Sequence, residues 1–333
     1  MDRLRAVCIA LLLAGCSLPG VRPATPAGVA PDSSGEPQAA SAPLLYISDS
    51  STGDVFVYNF STKAPVATLK GFQSPYGQCV DSAGNVWIAD LNAGALVQYA
   101  HGASKPSRRL RTNGNPIGCA VNSHNGDLAV ANYAGRAGAG NIQIWRHGRV
   151  PSATYRATKF YYLWPPAYDA SGNLFAEAQM LDGPYGLLEL PKGGSALRSI
   201  SLSGATIRYA GGVFWDGQAL GVTDQNSADG NTTAIYRVAV KGASGKVIGR
   251  IHLTDSCHYD NTDIVEPFPI LTNGTTTEII GGNLWCAHRF GTWKYPAGGP
   301  PSSLLPKAPA EPFGESVSPA RNARDDRSLG DAR

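Results

Sequence analysis

The sequence predicts an all-β fold: a six-bladed β-propeller of four-stranded antiparallel blades, the first closed by an inner strand from the C-terminus. Three observations predict it. The stretch from Gly77 to Tyr99 reads as short strands separated by tight reversals. Its leading turn recurs further along the chain. The two ends of the repeat region are also complementary, one lacking the strand that the other supplies.

In Gly77–Tyr99, the apolar runs Gln78–Val80 and Val86–Ala89 flank Asp81-Ser82-Ala83-Gly84-Asn85, whose Asp, Gly and Asn favour a hairpin turn. A second reversal at Asp90–Gly94 leads to a third strand, Ala95–Tyr99, and His101-Gly102 turns the chain toward a fourth around Arg108–Leu110. The leading turn recurs from Asn122, Asp169 and Asp216, at spacings of 41, 47 and 47 residues, a period typical of propeller repeats. Third-strand ends recur at Val57-Tyr58, Val97–Tyr99, Ile144-Trp145, Leu190, Ile235-Tyr236 and Trp293–Tyr295. Leu44–Asp49 aligns with Asn85–Asp90, so the first unit begins at its second strand. Pro312–Ser318 matches the spacing of Pro75–Asp81 and supplies the missing inner strand. Closure of this kind removes open sheet edges.

Four segments follow. Residues 1–15 form a leader, with Arg3 and Arg5 before the apolar run Ala6–Leu13, a secretory pattern too short to span a bilayer. Leu13-Ala14-Gly15-Cys16 resembles the lipobox of bacterial lipoproteins. That resemblance implies acylation of Cys16 and anchoring to a lipid bilayer in the cell envelope, on the periplasmic or cell-surface side. Residues 16–43, rich in Pro, Ala and Ser, read as a disordered tether, 44–319 as the propeller, and 320–333 as a disordered tail. Net charge is only +3 over 333 residues, with no basic stripe interleaved with aromatics, which argues against a nucleic-acid partner. A monomer is expected.

Gly77, Val80, Asp81, Gly84, Asn85, Val86, Ile88, Ala89, Asp90, Asn92, Val97, Gln98 and Tyr99 together resemble an NHL-type propeller repeat. The likeness is best in the second unit and loosest in the fifth and sixth. It implies a six-bladed ring, a fold that hosts binding modules and enzymes alike, so function rests on individual residues.

The second strands end in Asp49, Asp90, Asn132, Asp224 and Asn283, and the fourth unit offers Glu177 or Gln179 nearby. A ring of such oxygens can ligate a hard cation, whereas Asp and Asn in turns also bind their own backbone. Loops leading into inner strands carry Tyr76, Trp164 and Phe313, and Tyr133 follows a second strand. These aromatics predict a cup with apolar walls and polar tips for a sugar, peptide or polyketide, the competing expectation being burial between blades. His258 and His288, with Asp224 and Glu266, offer the imidazole and carboxylate that acid–base chemistry needs. No zinc-ligand spacing and no Gly-x-Ser-x-Gly elbow accompanies them.

Beyond Cys8 and Cys16, four cysteines remain, with three possible pairings. Aligning Gly77 with Gly118 sets Cys79 and Cys119 at opposite parity on neighbouring inner strands, which allows a bridge across the gap between blades. Cys257 and Cys286 then pair by elimination, the other expectation being free thiols. The function read from these residues is a membrane-tethered extracytoplasmic binding or scaffolding module, with no cofactor, contacting a partner or small ligand at the tunnel mouth through Tyr76, Asp90, Asn132, Tyr133, Trp164, Asp224, His258, Glu266 and His288. The alternative is a lyase or lactonase dependent on a divalent cation, of the streptogramin-lyase-like or gluconolactonase-like kind.

Overall fold

The computed structural model describes residues 42–319, apart from 136–137, 158, 181–182, 229–231, 256–263, 273 and 284–287. Among the described residues every regular element is a β-strand. Four four-stranded antiparallel sheets and one nine-stranded sheet are arranged in a propeller-like ring. The leader and most of the tether, together with Cys16, Cys257, His258 and Cys286, lie outside the described residues.

In the first sheet, Pro312–Ser318 pairs with Leu44–Asp49, followed outward by Asp54–Asn59 and Pro65–Leu69. Leu44 opposes Ser318 and Ile47 opposes Glu315, so the end of the chain completes the sheet that its beginning opens. Ser318 secures this closure, its hydroxyl donating to the Gly84 carbonyl (2.6 Å) and meeting His101 Nδ1 at 2.7 Å. The second sheet runs outward through Pro75–Val80, Val86–Asp90, Ala95–Tyr99 and Pro106–Arg111, and the third through Gly114–Val121, Leu128–Gly135, Asn141–Arg146 and Val150–Arg156.

The nine-stranded sheet departs from the expected separate units. It contains two antiparallel halves. One runs from Tyr162–Leu163 and Ala167–Tyr168 through Leu174–Gln179 and Tyr185–Leu190 to Arg198–Ser203, and the other from Ala210–Trp215 through Leu220–Asp224 and Thr233–Lys241 to Ser244–Leu253. The outer strands then pair with each other in parallel, Ser201–Ser203 against Ser244–Lys246. The tip of the long Thr233–Leu253 hairpin reaches its neighbour, and each strand covers the other's open edge. Inside the first half, Trp164-Pro165-Pro166 divides the innermost strand in two, because proline has no N–H for the ladder. The last sheet comprises Ile264–Thr272, Thr275–Asn283, Phe290–Lys294 and Ser303–Leu304.

Packing between neighbouring sheets follows the strand period of two. Leu44 and Tyr46 meet Val86, Ile88 and Tyr99 of the second sheet, while Leu45 and Ile47 meet Ile280 and Phe290 of the last. Similar buried clusters lie at each further boundary, including the one between the two halves of the nine-stranded sheet. A buried side chain of this size contributes about 1.5–3 kcal/mol. Second strands, buried on both faces, carry most of that core.

Cys79 and Cys119 form a disulfide between adjacent innermost strands, with Cα atoms 5.5 Å apart. Bridges of this kind stabilise by roughly 2–4 kcal/mol. The bridge borders a cavity of about 320 Å³ at the centre of the ring, walled by Gln78, Pro165, Phe214, Phe268 and Glu315, among others. Innermost strands from every sheet thus surround one axis.

Candidate functional site

The ends of the second strands, expected as possible cation ligands, serve largely as latches. Asp90 Oδ1 accepts the backbone N–H groups of Gln73 and Ser74, both at 3.0 Å, from the loop that enters its own sheet. Asp224 Oδ1 accepts Tyr209 N (3.0 Å), and Asp49 Oδ2 accepts Ala310 N (2.9 Å), at the corresponding loops. The remaining oxygens are also engaged: Asp90 Oδ2 by Arg109 (3.4 Å), Asp224 Oδ2 by Tyr236 Oη (3.3 Å), and Asp49 Oδ1 by Ser51 and Thr52. In the third sheet the same task passes to an amide network. Asn132 Nδ2 donates to Asn141 Oδ1 and Gln143 Oε1, and Gln143 Oε1 accepts Asn113 N at 2.6 Å.

Glu177 differs from these acids. It lies fully buried two residues before the end of its strand and faces the neighbouring half-sheet. There its Oε2 accepts both Gly211 N (3.1 Å) and Gly212 N (2.6 Å). Gly212 has a φ of +97°, a conformation that suits glycine, and a Cβ at Gly211 would come within 2.7 Å of Thr223. The backbone can therefore approach the carboxylate closely. Glu177 Oε1 has no hydrogen-bond partner among the described residues. Burial pushes the carboxyl pKa well above its ordinary value, the Gly212 and Gly211 donors oppose this, and the nearby Asp224 charge adds to the rise.

At the same end of the sheets, aromatic side chains from several loops form two groups of rings in contact. Tyr76 packs on Phe313, with ring centroids 4.2 Å apart. Tyr133 stacks on Tyr162 (4.4 Å, interplanar angle 21°) and meets Trp164 edge-on (5.9 Å, 83°). Trp164 continues to Tyr209 (6.0 Å), Tyr209 to Tyr185 (5.6 Å), and Tyr162 to Tyr161 (4.9 Å). The hydroxyl of Tyr133 is within electrostatic reach of Tyr162, Tyr209 and Tyr76; burial first, and then these neighbours, push its pKa up to about 12. Tyr209 is 44% exposed, whereas Trp164 is buried, with an indole N–H unpartnered among the described residues.

The structure thus brings Tyr76, Asp90, Asn132, Tyr133, Trp164 and Asp224 to one end of the ring. His288 lies in the loop between second and third strands of the last sheet, where its Nδ1 is 3.0 Å from the Ala308 carbonyl oxygen. Glu266 sits on the innermost strand of that sheet; its side chain, like His258, lies outside the described residues. Among the described residues, no group of three or more His, Cys, Asp or Glu side chains could hold a metal ion. Sequence reasoning did not single out Tyr161, Tyr162, Tyr185 or Tyr209. The aromatic run Phe160–Trp164 was a signal for two of them, and Tyr209 occupies the same class of loop as Tyr76.

No protein-family model matches the chain, and no curated protein resembles it in sequence. Solved structures share its fold. A chain of the hydrazine synthase of Kuenenia stuttgartiensis superposes with a TM-score of 0.54 at 15% identity, over 75% of this chain and 72% of that one. A chain of a nidogen/laminin complex gives 0.59 at 11% identity, over 84% and 99%. A protein of unknown function from Bacteroides caccae gives 0.60 at 11% identity, with the same two coverages. At such identities the likeness concerns the fold alone.

Proposed function

We propose that this chain is a binding module of the bacterial cell envelope, exported and held on lipid through an acylated Cys16, whose six-bladed propeller presents its aromatic mouth to a ligand or partner. Counting six blades treats the parallel contact of Arg198–Ser203 with Ser244–Leu253 as an edge contact between two blades. The Asp81–Asn85 turn and the Val86–Asp90 strand that follows support an NHL-like repeat.

The observation that carries the reading is the gathering, at one end of the ring, of the pair Tyr76 and Phe313 and of the contacting rings Tyr162, Tyr133, Trp164, Tyr209 and Tyr185. Aromatic residues with polar tips offer large, rigid contact area at low entropic cost. The chain enters its first strand at Leu44, opposite Ser318 and Asn59 and remote from Asp49.

A thermal-shift screen of small molecules tests the proposal, because a ligand of the native state raises Tm by mass action. Compounds that stabilise the protein should lose that effect in Tyr133→Ala. Stabilisation that persists in the variant would reject the aromatic mouth as the site. A stoichiometric divalent ion in the purified protein, with turnover of a lactone or a cyclic ester, would instead establish the lyase or lactonase reading. Cys16→Ser should shift the chain from the membrane to the soluble fraction.

A further inference from the structure

We infer that the end of the ring at which the chain enters the fold docks on an anionic lipid surface through Lys105, Arg108, Arg146 and Arg149. The choice of partner rests on the reading that Cys16 holds the chain on lipid. The first observation is a charge asymmetry that the small net charge conceals. Between Asp90 and Asp169 the sequence carries nine lysines and arginines against a single acid, Asp127, a net charge of +8 in a chain whose total is +3. This segment forms the two outer strands of the second sheet and the whole of the third.

Four of its cations stand together where those sheets turn. Lys105 directly precedes the outermost strand of the second sheet, Pro106–Arg111, which carries Arg108; Arg146 and Arg149 flank the turn before the outermost strand of the third. Lys105, Arg146 and Arg149 are exposed and have no ion pair or side-chain hydrogen bond among the described residues. A cleft of about 380 Å³ lies between the two sheets, lined by Arg108 from one side and by His147 and Arg149 from the other. Arg108 Nη1 donates to the Gly148 carbonyl (3.1 Å), which spends one of its five N–H groups and leaves the others to an anion. Asp81 is the one acid lining the cleft, and both its oxygens already accept from the amides of Asn85 and Gln98. The turn itself is fixed before any partner arrives: His147 N donates to Asp127 Oδ1 (3.0 Å), His147 Nδ1 lies 2.6 Å from the Asn125 carbonyl oxygen, and Arg149 N donates to the Arg146 carbonyl (2.9 Å). Such preorganisation lowers the cost of binding.

The second observation is where the chain enters. Residues 16–43, the segment that reads as a tether, join the fold at Leu44, opposite Ser318. The Ser318 hydroxyl bonds Gly84 and His101, and Tyr46 Oη accepts Gly102 N (2.9 Å). Gly84 belongs to the Asp81–Asn85 turn that lines the cleft, and His101-Gly102 begin the turn that continues to Lys105. Chain entry and cations thus share one end of the ring, on neighbouring sheets, and an acyl group at Cys16 would pull on that end. The acyl group supplies attachment; the cations set which surface meets the headgroups, each contributing about fivefold in affinity near an anionic bilayer. Nucleic acid fits less well, because Trp87 and Trp145 beside these cations are buried and offer no face on which a base could stack. The aromatic mouth lies at the other end of the same strands, beyond Pro75 and Asp90, so the two surfaces do not compete.

Co-sedimentation of the processed chain, residues 16–333, with lipid vesicles tests the inference, every protein carrying Cys16→Ser so that no acyl group contributes. The chain should bind vesicles of phosphatidylcholine containing about 30% phosphatidylglycerol and not phosphatidylcholine alone, and raising salt from about 0.05 to 0.5 M should release it. Arg146→Gln together with Arg149→Gln should weaken binding about tenfold or more. Arg111→Gln together with Arg156→Gln removes the same charge from the opposite ends of the two outermost strands. That pair should cost less than about threefold, since some 20 Å of strand exceeds the Debye length. Circular dichroism melts establish that each variant is folded; should the first pair fail to fold, Lys105→Gln, with an expected loss of about fivefold, carries the test. Equal losses from the two pairs, binding to neutral vesicles, or no binding to either vesicle would overturn the inference. Retention on inorganic polyphosphate without binding to vesicles would assign the surface to a free polyanion and overturn the lipid assignment. The anchor is judged separately, by fractionating cells at about 0.5 M salt, where the electrostatic contact is screened. If Cys16→Ser stays with the membrane there, the anchor reading fails, while vesicle binding that depends on Arg146 and Arg149 upholds the docking surface.

Discussion

Asp216 and Glu177 are both buried carboxylates of the nine-stranded sheet, and the protein treats them in opposite ways. Asp216, in the hairpin turn of the second half, accepts Gln218 N (2.8 Å) and Ala219 N (2.7 Å) on one oxygen, and Arg237 Nε (2.6 Å) and Tyr295 Oη (2.7 Å) on the other. Burial works to raise its pKa, but the hydrogen bonds from Arg237, Ala219, Tyr295 and Gln218 outweigh it and hold the group below its ordinary value. Glu177, at the mouth end, has two backbone donors on one oxygen and none among the described residues on the other, and its pKa is raised. Where hydrogen-bonding capacity is fully spent, an acid serves the fold. At the mouth end, Glu177 keeps one oxygen without a hydrogen-bond partner among the described residues.

The sharpest way to break this contrast is Asp216→Ala. It leaves Arg237 without its carboxylate and Tyr295 without its acceptor, and removing one partner of a buried pair typically costs about 3–5 kcal/mol. A urea midpoint close to wild type would show that the network is not structural. Asp90→Ala comes next. Asp90 is at the mouth end yet has both oxygens engaged, so it should behave like Asp216 and not like Glu177. The half-exposed Arg109 contributes little, and the expected loss of about 2–3 kcal/mol comes from Gln73 and Ser74 N–H groups left unmatched. An effect below about 1 kcal/mol would mean that partner count is not what separates the two classes of acid.

What could be read from the sequence was local chemistry. The Asp81 turn was legible because its residues are its mechanism: Asp81 Oδ1 accepts Ala83 N and Asn85 N, and Gly84 adopts a φ of +77°. Asp169 and Asn173 repeat the pattern, which is why the spacing stood out. The match of Pro312–Ser318 to Pro75–Asp81 was legible for the same reason. Merging of the fourth and fifth units was not, because it depends on Ser201–Ser203 lying beside Ser244–Lys246, two edges more than forty residues apart with no shared motif. The site was legible in part. Tyr76, Tyr133 and Trp164 stood in loops whose place the repeat defines, whereas Tyr162 and Tyr185 join them through packing between sheets. The strand-end acids were legible as turn formers, but their actual contacts are with distant loops, some 15 to 17 residues earlier for Asp90 with Gln73 and Asp224 with Tyr209, and at Ala310 near the other end of the repeat region for Asp49.

The smallest expected effect is the most diagnostic, because its sign depends on pH. In the unfolded chain Glu177 releases its proton near 4.5, its ordinary value, while burial makes the folded protein hold that proton to higher pH. Between those two points the folded state binds more protons than the unfolded one, so this group makes stability fall as pH rises from 4.5 and level off above its raised pKa. Asp216 acts in the opposite direction and in a separate window, its contribution being lost only as pH falls below about 3.8. Glu177→Gln keeps an oxygen to accept from Gly211 and Gly212 and removes the titration. The variant should lie within about 1 kcal/mol of wild type near pH 4.5, and should gain on it in urea titrations as pH rises above 4.5. Parallel pH profiles for the two proteins would show that Glu177 holds its proton no more tightly folded than unfolded and would remove the contrast with Asp216.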